Sequence, residues 1–143
     1  MFKSLLVPLD GSEYSERALA MGLELARLTG AKVTLLTVVL AYKDAHVPEV
    51  PSLEAQARQR AEEYLKPFVD QGRAAGFELE GVVGHGSPAE EILRVAREHD
   101  ADLIVMSTHG IGAGGRHALG SVALRVLQTA ACPVLFQGIH EVT

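Results

Sequence analysis

The sequence has no tryptophan, one cysteine and few aromatic residues, and each shortage excludes something. A single cysteine cannot form an internal disulfide, which is typical of a protein from the reducing cytoplasm. Because aromatic residues make up 5% of the chain and hydrophobic residues 48%, the core must be built from aliphatic side chains. Aliphatic strands are what a parallel sheet covered on both faces requires.

Long apolar runs and basic patches are also missing. No apolar run approaches the roughly 20 residues that a membrane-spanning helix needs, and the N-terminal run, interrupted at Asp10, is too short for a signal peptide. The formal net charge of −5 argues against broad binding to nucleic acid or to an anionic membrane. We therefore expect a cytoplasmic protein with no nucleic-acid or membrane partner, although this charge permits one bound nucleotide.

Strand-like and helix-like patterns alternate along the 143 residues, and this length favours one domain, residues 1–143. The strands are predicted from apolar runs, the helices from capping residues and helical periodicity. Strands are predicted at 4–9, 32–39, 77–83, 103–107 and 133–137, and helices at 13–28, 53–75, 88–98 and 121–130. The alternation predicts an α/β fold, namely a doubly wound five-stranded parallel sheet with helices on both faces.

Local signals predict where helices begin and which faces they bury. Ser12 is a candidate N-cap of the first helix, and Ser87, followed by Pro88 and Glu90, begins the third helix with a capping box. Gly84 to Gly86 is predicted to turn the chain before that helix. The first helix has an apolar stripe at helical spacing that should face the sheet. The stripe consists of Ala18, Met21, Leu25 and Leu28.

The stretch from Asp102 to Ser121 organises the candidate site. An apolar strand is followed by five glycines within eleven positions, and a helical pattern begins at Ser121. Glycine lets a ligand approach the main chain closely, and free N–H groups at a helix start attract anions. A phosphate-binding loop is therefore favoured over a purely structural loop. With the strand order 3-2-1-4-5, ligands would bind where strands 1 and 4 end, bringing Asp10 to the segment from Ser107 to Gly110.

Other nucleotide-binding and catalytic motifs do not fit. The segment Gly110 to Gly115 satisfies G-x-G-x-x-G, but it does not follow the first strand, and no acidic residue lies about 20 positions further on. No P-loop or G-x-S-x-G motif is present. The six histidines form no spaced metal pair. His109, in the predicted crevice, either contacts a ligand or forms a loop hydrogen bond, and Asp10 either contacts a ligand or caps a turn.

The sequence resembles the universal stress protein family along nearly its whole length. The resemblance is carried by Leu-Leu-Val-Pro-Leu-Asp-Gly-Ser, Gly-Ser-Pro-Ala-Glu-Glu-Ile, Asp-Leu-Ile-Val-Met-Ser-Thr-His-Gly and Cys-Pro-Val-Leu. The ATP-binding branch of the family carries G-x-x-G, nine residues, then G-[ST]. Here Gly110, residues 111–119, Gly120 and Ser121 match that pattern, and Ser107 stands at the position of the first glycine.

The resemblance implies roles for individual residues. Asp10 and the backbone near Val38 would hold adenine, Pro8 and Met106 would line its pocket, and Ser107 with the residues after it would face the ribose. The phosphates would be bound through N–H groups and one hydroxyl. These phosphate-binding residues would be Gly110, Gly120, Ser121 and Val122. Arg116 could close over the phosphates, on a loop made flexible by Gly112, Gly114 and Gly115.

The resemblance further implies a homodimer that binds ATP, with Mg²⁺ on the phosphates, and acts as a nucleotide-dependent switch in the stress response. The dimer would pair through Val134 to Phe136, which would otherwise be an exposed apolar edge. Hydrolysis should be slow at most, since no phosphate-reaching lysine is present. Two alternatives remain: a dimeric interaction scaffold that binds no nucleotide, and an ATPase or nucleotidyl-transfer enzyme using His109 or Asp10.

Overall fold

Five parallel strands form a single sheet in the protein, whose structure is a computed structural model describing residues 1–40, 51–110 and 119–138. The order across the sheet is β3-β2-β1-β4-β5. The strands are β1 (Ser4–Pro8), β2 (Lys32–Leu40), β3 (Leu79–Gly86), β4 (Leu103–Ser107) and β5 (Val134–Gln137). The predicted α/β fold and the predicted order 3-2-1-4-5 are confirmed.

Helices cover both faces of the sheet because the buried strands are apolar on both faces. Leu5 and Val7 of β1 belong to an apolar cluster beneath two helices, and Leu6 between them belongs to a second cluster beneath the other two. The helices are α1 (Glu13–Thr29), α2 (Pro51–Ala74), α3 (Pro88–Glu98) and α4 (Ser121–Thr129). The first cluster lies under α1 and α2, and the second under α3 and α4.

The first helix begins as predicted, and Ala18, Met21 and Leu25 of its predicted stripe contact the apolar cluster as expected, whereas Leu28 is exposed. Ser12 is its N-cap and accepts a hydrogen bond from the Ser15 amide at 3.2 Å. Leu28, predicted to face the sheet, is 83% exposed. Ten residues separate Ala18 from Leu28, and at about 100° per residue Leu28 lies about 80° from Ala18, on the side away from the buried Leu19 and Ala26. The buried positions are Ser15, Ala18, Leu19, Gly22 and Ala26.

Two predictions around β3 and α3 are wrong. The segment Gly84 to Gly86 is not a turn, because β3 continues through it, paired with β2 up to Leu40. Gly84 suits this strand because Glu91 Oε2 of α3 lies 2.8 Å from where its Cβ would be. Ser87 is the N-cap of α3, but its side chain makes no capping hydrogen bond. The start of α3 is stabilised instead by Pro88 at its first position and by a hydrogen bond from the Glu91 amide to the Ser87 carbonyl at 2.9 Å.

The sheet order places the carboxyl ends of β1 and β4 side by side. Leu5 pairs with Leu103 and Leu6 with Ile104, and the chain leaves these two strands toward α1 and α4, which lie on opposite faces. Such a reversal creates a crevice beyond the strand ends. Across residues 1–40, 51–110 and 119–138, no helix is both long and apolar enough to span a membrane.

Candidate functional site

Asp10 is the second residue after β1, and hydrogen bonds to the start of α1 hold it in place. Its Oδ1 atom accepts hydrogen bonds from the Ser12 amide, at 2.9 Å, and from the Ser12 hydroxyl. The Asp10 amide donates to the hydroxyl of buried Ser15 at 3.3 Å. With one oxygen bonded to Ser12, the carboxylate has a defined direction.

The second carboxylate oxygen of Asp10 meets the loop after β4. A Cβ atom at Gly110 would overlap Asp10 Oδ2 and would lie 3.3 Å from Asp10 Cγ. Gly110 does not have a positive φ, so glycine is needed here for the close approach of Asp10 and not for a left-handed turn. The predicted meeting of Asp10 and Gly110 at the ends of β1 and β4 is therefore present in the structure.

Ser107 and His109 fold the end of β4 into a tight turn. The Ser107 hydroxyl is buried and donates to the His109 carbonyl, while the Thr108 amide donates to the Gln137 carbonyl of β5 at 3.1 Å. The Ser107 side chain thus closes the turn with a hydrogen bond that glycine could not make. This is how serine is accommodated at the position of the first motif glycine.

The His109 ring is buried in this turn, with 9% of its surface exposed. Its Nδ1 atom forms a hydrogen bond with Thr108 Oγ1 at 2.9 Å. Its Nε2 atom is also buried and has no hydrogen-bond partner within the described ranges. Burying a polar atom without a partner costs about 1–3 kcal/mol, so Nε2 favours a polar ligand group or a water molecule beside it.

Gly120 links the start of α4 to the same turn through a hydrogen bond. Its amide donates to the Thr108 carbonyl at 2.9 Å, and a Cβ at Gly120 would lie 3.2 Å from that carbonyl oxygen. The first helical hydrogen bond runs from Leu124 to Gly120 at 2.9 Å. The Ser121 and Val122 amides precede it, and Gly120 has no side chain with which to cap them. These two amides can bind an anion, because they lie at the positive end of the helix dipole.

Three of the predicted site residues share one apolar cluster. Val38 of β2, Met106 of β4 and Val122 of α4 all belong to the cluster beneath α3 and α4. Pro8 lies at the end of β1, opposite Leu36 of β2. The ends of β1 and β4 therefore bring together a carboxylate, a helix N-terminus and a nearby apolar surface, which are the groups needed to hold a polar anion with a planar apolar part.

The comparison with known proteins decides the family. The chain matches the Universal stress protein family over residues 1–136. The protein belongs to this family. The "Universal stress protein in QAH/OAS sulfhydrylase 3'region" of Thermus aquaticus is 39% identical over 139 residues, which covers 94% of this chain and 98% of that protein.

Solved structures of the family share the fold. The structure of hypothetical protein MJ0577 superimposes with a TM-score of 0.90 at 28% identity, and the match covers 99% of both chains. The universal stress protein from Archaeoglobus fulgidus in complex with dAMP gives a TM-score of 0.64 at 26% identity, covering 95% of this chain and 97% of that chain.

Part of the site predicted for this universal stress protein lies outside the described residues. Arg116 and the glycines of its loop belong to that part. The described part contains no group of three or more His, Cys, Asp or Glu side chains that could hold a metal ion.

Two contributors to the site were not predicted. Thr108 bonds to His109, Gly120 and Gln137, and its position between two predicted site residues was the available signal. Tyr64 of α2 has a buried hydroxyl, and burial and the negative charges of Glu16 and Asp10 raise its pKa. The sequence places Tyr64 and Phe68 one helical turn apart, a spacing that indicates a buried helix face but not what the hydroxyl contacts.

Proposed function

We propose that this universal stress protein binds ATP in the crevice at the ends of β1 and β4 and acts as a nucleotide-dependent switch in the stress response. The main support for the proposal is the contact of Asp10 with Gly110. The N-terminus of α4 is bonded to Thr108 in the same loop. A structural neighbour from Archaeoglobus fulgidus, 26% identical, is a complex with dAMP, which supports an adenine nucleotide as the ligand.

Each part of the crevice suits one part of a nucleotide. Asp10 offers acceptor oxygens for the N–H or O–H groups of the nucleoside, and Val38 and Met106 offer apolar surface for the base. The Ser121 and Val122 amides and the Ser121 hydroxyl would bind phosphate oxygens. The Gly120 amide is bonded to Thr108, so Gly120 would serve through its missing side chain. Mg²⁺ would sit on the phosphates.

Hydrolysis is proposed to be slow at most. A general base must reach the attacking water with a free acceptor. Asp10 Oδ1 already accepts two hydrogen bonds from Ser12, and the His109 ring is buried, with its Nε2 atom shielded from solvent. No lysine follows Lys66 in the sequence, so the candidate loop supplies no lysine to stabilise charge on the γ-phosphate. These features favour a switch that holds its nucleotide over an ATPase.

The site is tested by measuring nucleotide binding. Nucleotide released on denaturing the purified protein is identified by mass spectrometry, and the melting temperature is followed against Mg²⁺–ATP, AMP and cyclic AMP. A ligand at 100 times its Kd should stabilise the fold by about 2.7 kcal/mol. Asp10→Ala should abolish most of this stabilisation. The control Asp70→Ala, which removes an exposed carboxylate paired with Lys66 on α2, should retain it.

The opposite result has a definite meaning. If wild-type protein carries no nucleotide and none of the three ligands raises the melting temperature, the proposed switch is wrong, and a scaffold that binds no nucleotide replaces it. If ATP stabilises Asp10→Ala as strongly as wild type, the nucleotide binds elsewhere and the site assignment is wrong.

A homodimer that pairs through β5 is also proposed. This strand lies at the end of the strand order and is hydrogen-bonded to β4 on one side. Its residues Val134 to Phe136 are apolar, and Leu135 is 38% exposed. A second copy pairing antiparallel across a two-fold axis would cover this edge.

A further inference from the structure

Arg125 lies one helical turn after Ser121, on the same side of α4. Residues four apart on a helix are neighbours, and the Cα atoms of these two are about 6 Å apart along the helix axis. Side chains on a helix lean toward its N-terminus. The Arg125 side chain therefore leans toward the first turn of α4, whose Ser121 and Val122 amides are proposed to bind phosphate.

The structure pairs the Arg125 guanidinium with a carboxylate of another helix. Arg125 Nε donates to Glu90 Oε1, in the first turn of α3, at 3.1 Å. Helices α3 and α4 both begin beyond the carboxyl ends of parallel strands, so this pair lies toward the same edge of the sheet as Asp10 and Gly110.

Packing between the two helices does not explain the pair. Helices α3 and α4 already share one apolar cluster, to which Ala123 and Val126 of α4 contribute buried side chains. The Arg125 and Glu90 side chains are 54% and 57% exposed, and exposed ion pairs contribute little to stability. Arg125 can therefore leave Glu90 at a small cost when a stronger partner is present.

A bound nucleotide would be such a partner, because its phosphates need positive charge. From Ser107 to Gln137 the sequence has two arginines and no lysine. One of them, Arg116, lies outside the described residues. The other is Arg125, which the structure places beside the α4 amides that are proposed to bind phosphate.

We propose that Arg125 exchanges Glu90 for the terminal phosphate of ATP, so that the site selects a nucleoside triphosphate over a monophosphate. A guanidinium can bind phosphate through two parallel N–H groups, which makes a stronger contact than the exposed pair with Glu90. Arginine has no acceptor atom, so this contact retains ATP without supplying a general base for hydrolysis. The inference rests on the proposed function, since it names the part of that ligand which the site distinguishes.

The proposal is tested by isothermal titration calorimetry with ATP and AMP at one Mg²⁺ concentration. Wild-type protein should bind ATP more tightly than AMP. Arg125→Gln should raise the Kd for ATP about tenfold, as the loss of a charge-assisted hydrogen bond does, and should leave the Kd for AMP unchanged. Arg125→Lys should recover part of the ATP affinity, because lysine keeps the charge but not the two-point contact.

Glu90→Gln distinguishes a phosphate contact from a structural ion pair. This substitution removes the competing carboxylate, so it should lower the Kd for ATP and leave the Kd for AMP unchanged. In an Arg125→Gln background it should no longer affect the Kd for ATP. If Arg125→Gln and Glu90→Gln both lower the melting temperature and neither changes a Kd, the pair is structural and the proposal is wrong.

Arg58→Gln is the matched control for the lost positive charge. It breaks an exposed pair with Glu62 on α2, where the two charged groups are 3.3 Å apart. Both Kd values should stay at the wild-type level. If Arg58→Gln raises the Kd for ATP as much as Arg125→Gln does, the effect comes from net charge and the proposal is wrong.

The two proposals fail in different ways. If the protein binds ATP at the Asp10 site and Arg125→Gln leaves the ratio of the two Kd values unchanged, the role of Arg125 is wrong and the proposed site stands. The same conclusion follows if wild-type protein binds AMP as tightly as ATP. If wild-type protein binds no nucleotide, both proposals are wrong.

Discussion

The carboxylate of Asp10 occupies the space that a side chain at Gly110 would need. One residue follows β1 and the other follows β4, so the contact joins the two strand ends at which the sheet order reverses. It fixes the distance between the acidic group and the loop that leads to α4. A substitution at either residue should therefore act on the other.

Gly110→Ala should weaken ATP binding. The added methyl group overlaps Asp10 Oδ2, so the carboxylate must turn away from the direction that Ser12 sets. We expect the Kd to rise at least about tenfold, or about 1.4 kcal/mol, as measured by isothermal titration calorimetry. A folded Gly110→Ala protein with wild-type affinity would contradict the proposed site.

The control for this substitution is Gly30→Ala. Gly30 ends α1 with φ of 75°, and no atom lies within 4 Å of where its Cβ would be. Its replacement imposes backbone strain alone and should cost about 1–2 kcal/mol of unfolding free energy. Because α1 ends far from its start at Ser12, the ATP affinity should stay at the wild-type value, which separates a loss of stability from a loss of the site.

The meeting of Asp10 and Gly110 could be predicted from the sequence because it follows from topology. Apolar runs and helical patterns give the order of elements, right-handed crossovers then restrict the strand order, and the strand order decides which ends adjoin. The same reasoning failed where a side chain from another element decided the outcome. Gly84 reads as a turn residue on its own, but β2 continues beside it and Glu91 fills the space above it.

The hydrogen bonds of the site could not be predicted. Ser107 reads as a small residue in place of glycine, yet its hydroxyl closes the turn onto His109. Tyr64 lies 54 positions from Asp10 along the sequence, and no local pattern links them. The position of Tyr64 depends on how α2 packs on the sheet. Sequence periodicity predicts which face of α2 is buried, but not how far a side chain on that face lies from Asp10.

Ser107→Ala should lower both stability and ATP affinity. The substitution removes the hydrogen bond that the Ser107 hydroxyl donates to the His109 carbonyl, so the unfolding free energy should fall by about 1 kcal/mol. The turn that carries His109 and receives Gly120 should loosen, and the Kd should rise. Urea unfolding and calorimetry measure the two effects.

A second buried serine provides the comparison for Ser107. Ser4 of β1 donates from its hydroxyl to the His99 carbonyl at 3.3 Å, at the amino end of the strand and away from the candidate site. Ser4→Ala should cost similar or less stability and leave the Kd unchanged. If both alanine variants changed the Kd alike, Ser107 would have no special role in the site.

Glu91 should contribute to the pH dependence of stability. The hydrogen bond from Arg94 lowers its pKa, outweighing burial, which raises it. A carboxyl whose pKa is lower in the folded state stabilises the fold above its unfolded pKa, and this stabilisation is lost as the pH falls through the lowered value. Glu91→Gln should therefore flatten the decline of unfolding free energy below about pH 4.5. Glu90→Gln, which alters an exposed pair with Arg125, should flatten it less, and equal effects would contradict the assignment.

Leu135→Lys should convert the proposed dimer into a monomer. Leu135 lies in the middle of β5, whose far edge is the end of the sheet, and it is exposed. A lysine there places a charge in the proposed strand pairing, which edge strands use to prevent such pairing. Sedimentation velocity should report half the wild-type mass. Leu28→Lys, on the outer face of α1 and more exposed, should keep the wild-type mass.

Loss of the dimer should also weaken ATP binding at the proposed nucleotide site. The Gln137 carbonyl at the end of β5 accepts the hydrogen bond of the Thr108 amide at 3.1 Å, and Thr108 in turn holds Gly120 and the start of α4. A β5 strand with a free edge should hold Thr108 less firmly, because its own position is less constrained. The Leu135→Lys monomer should therefore bind ATP more weakly than Leu28→Lys does. A wild-type monomer, or a Leu135→Lys protein that keeps the wild-type mass, would show that β5 is not the interface.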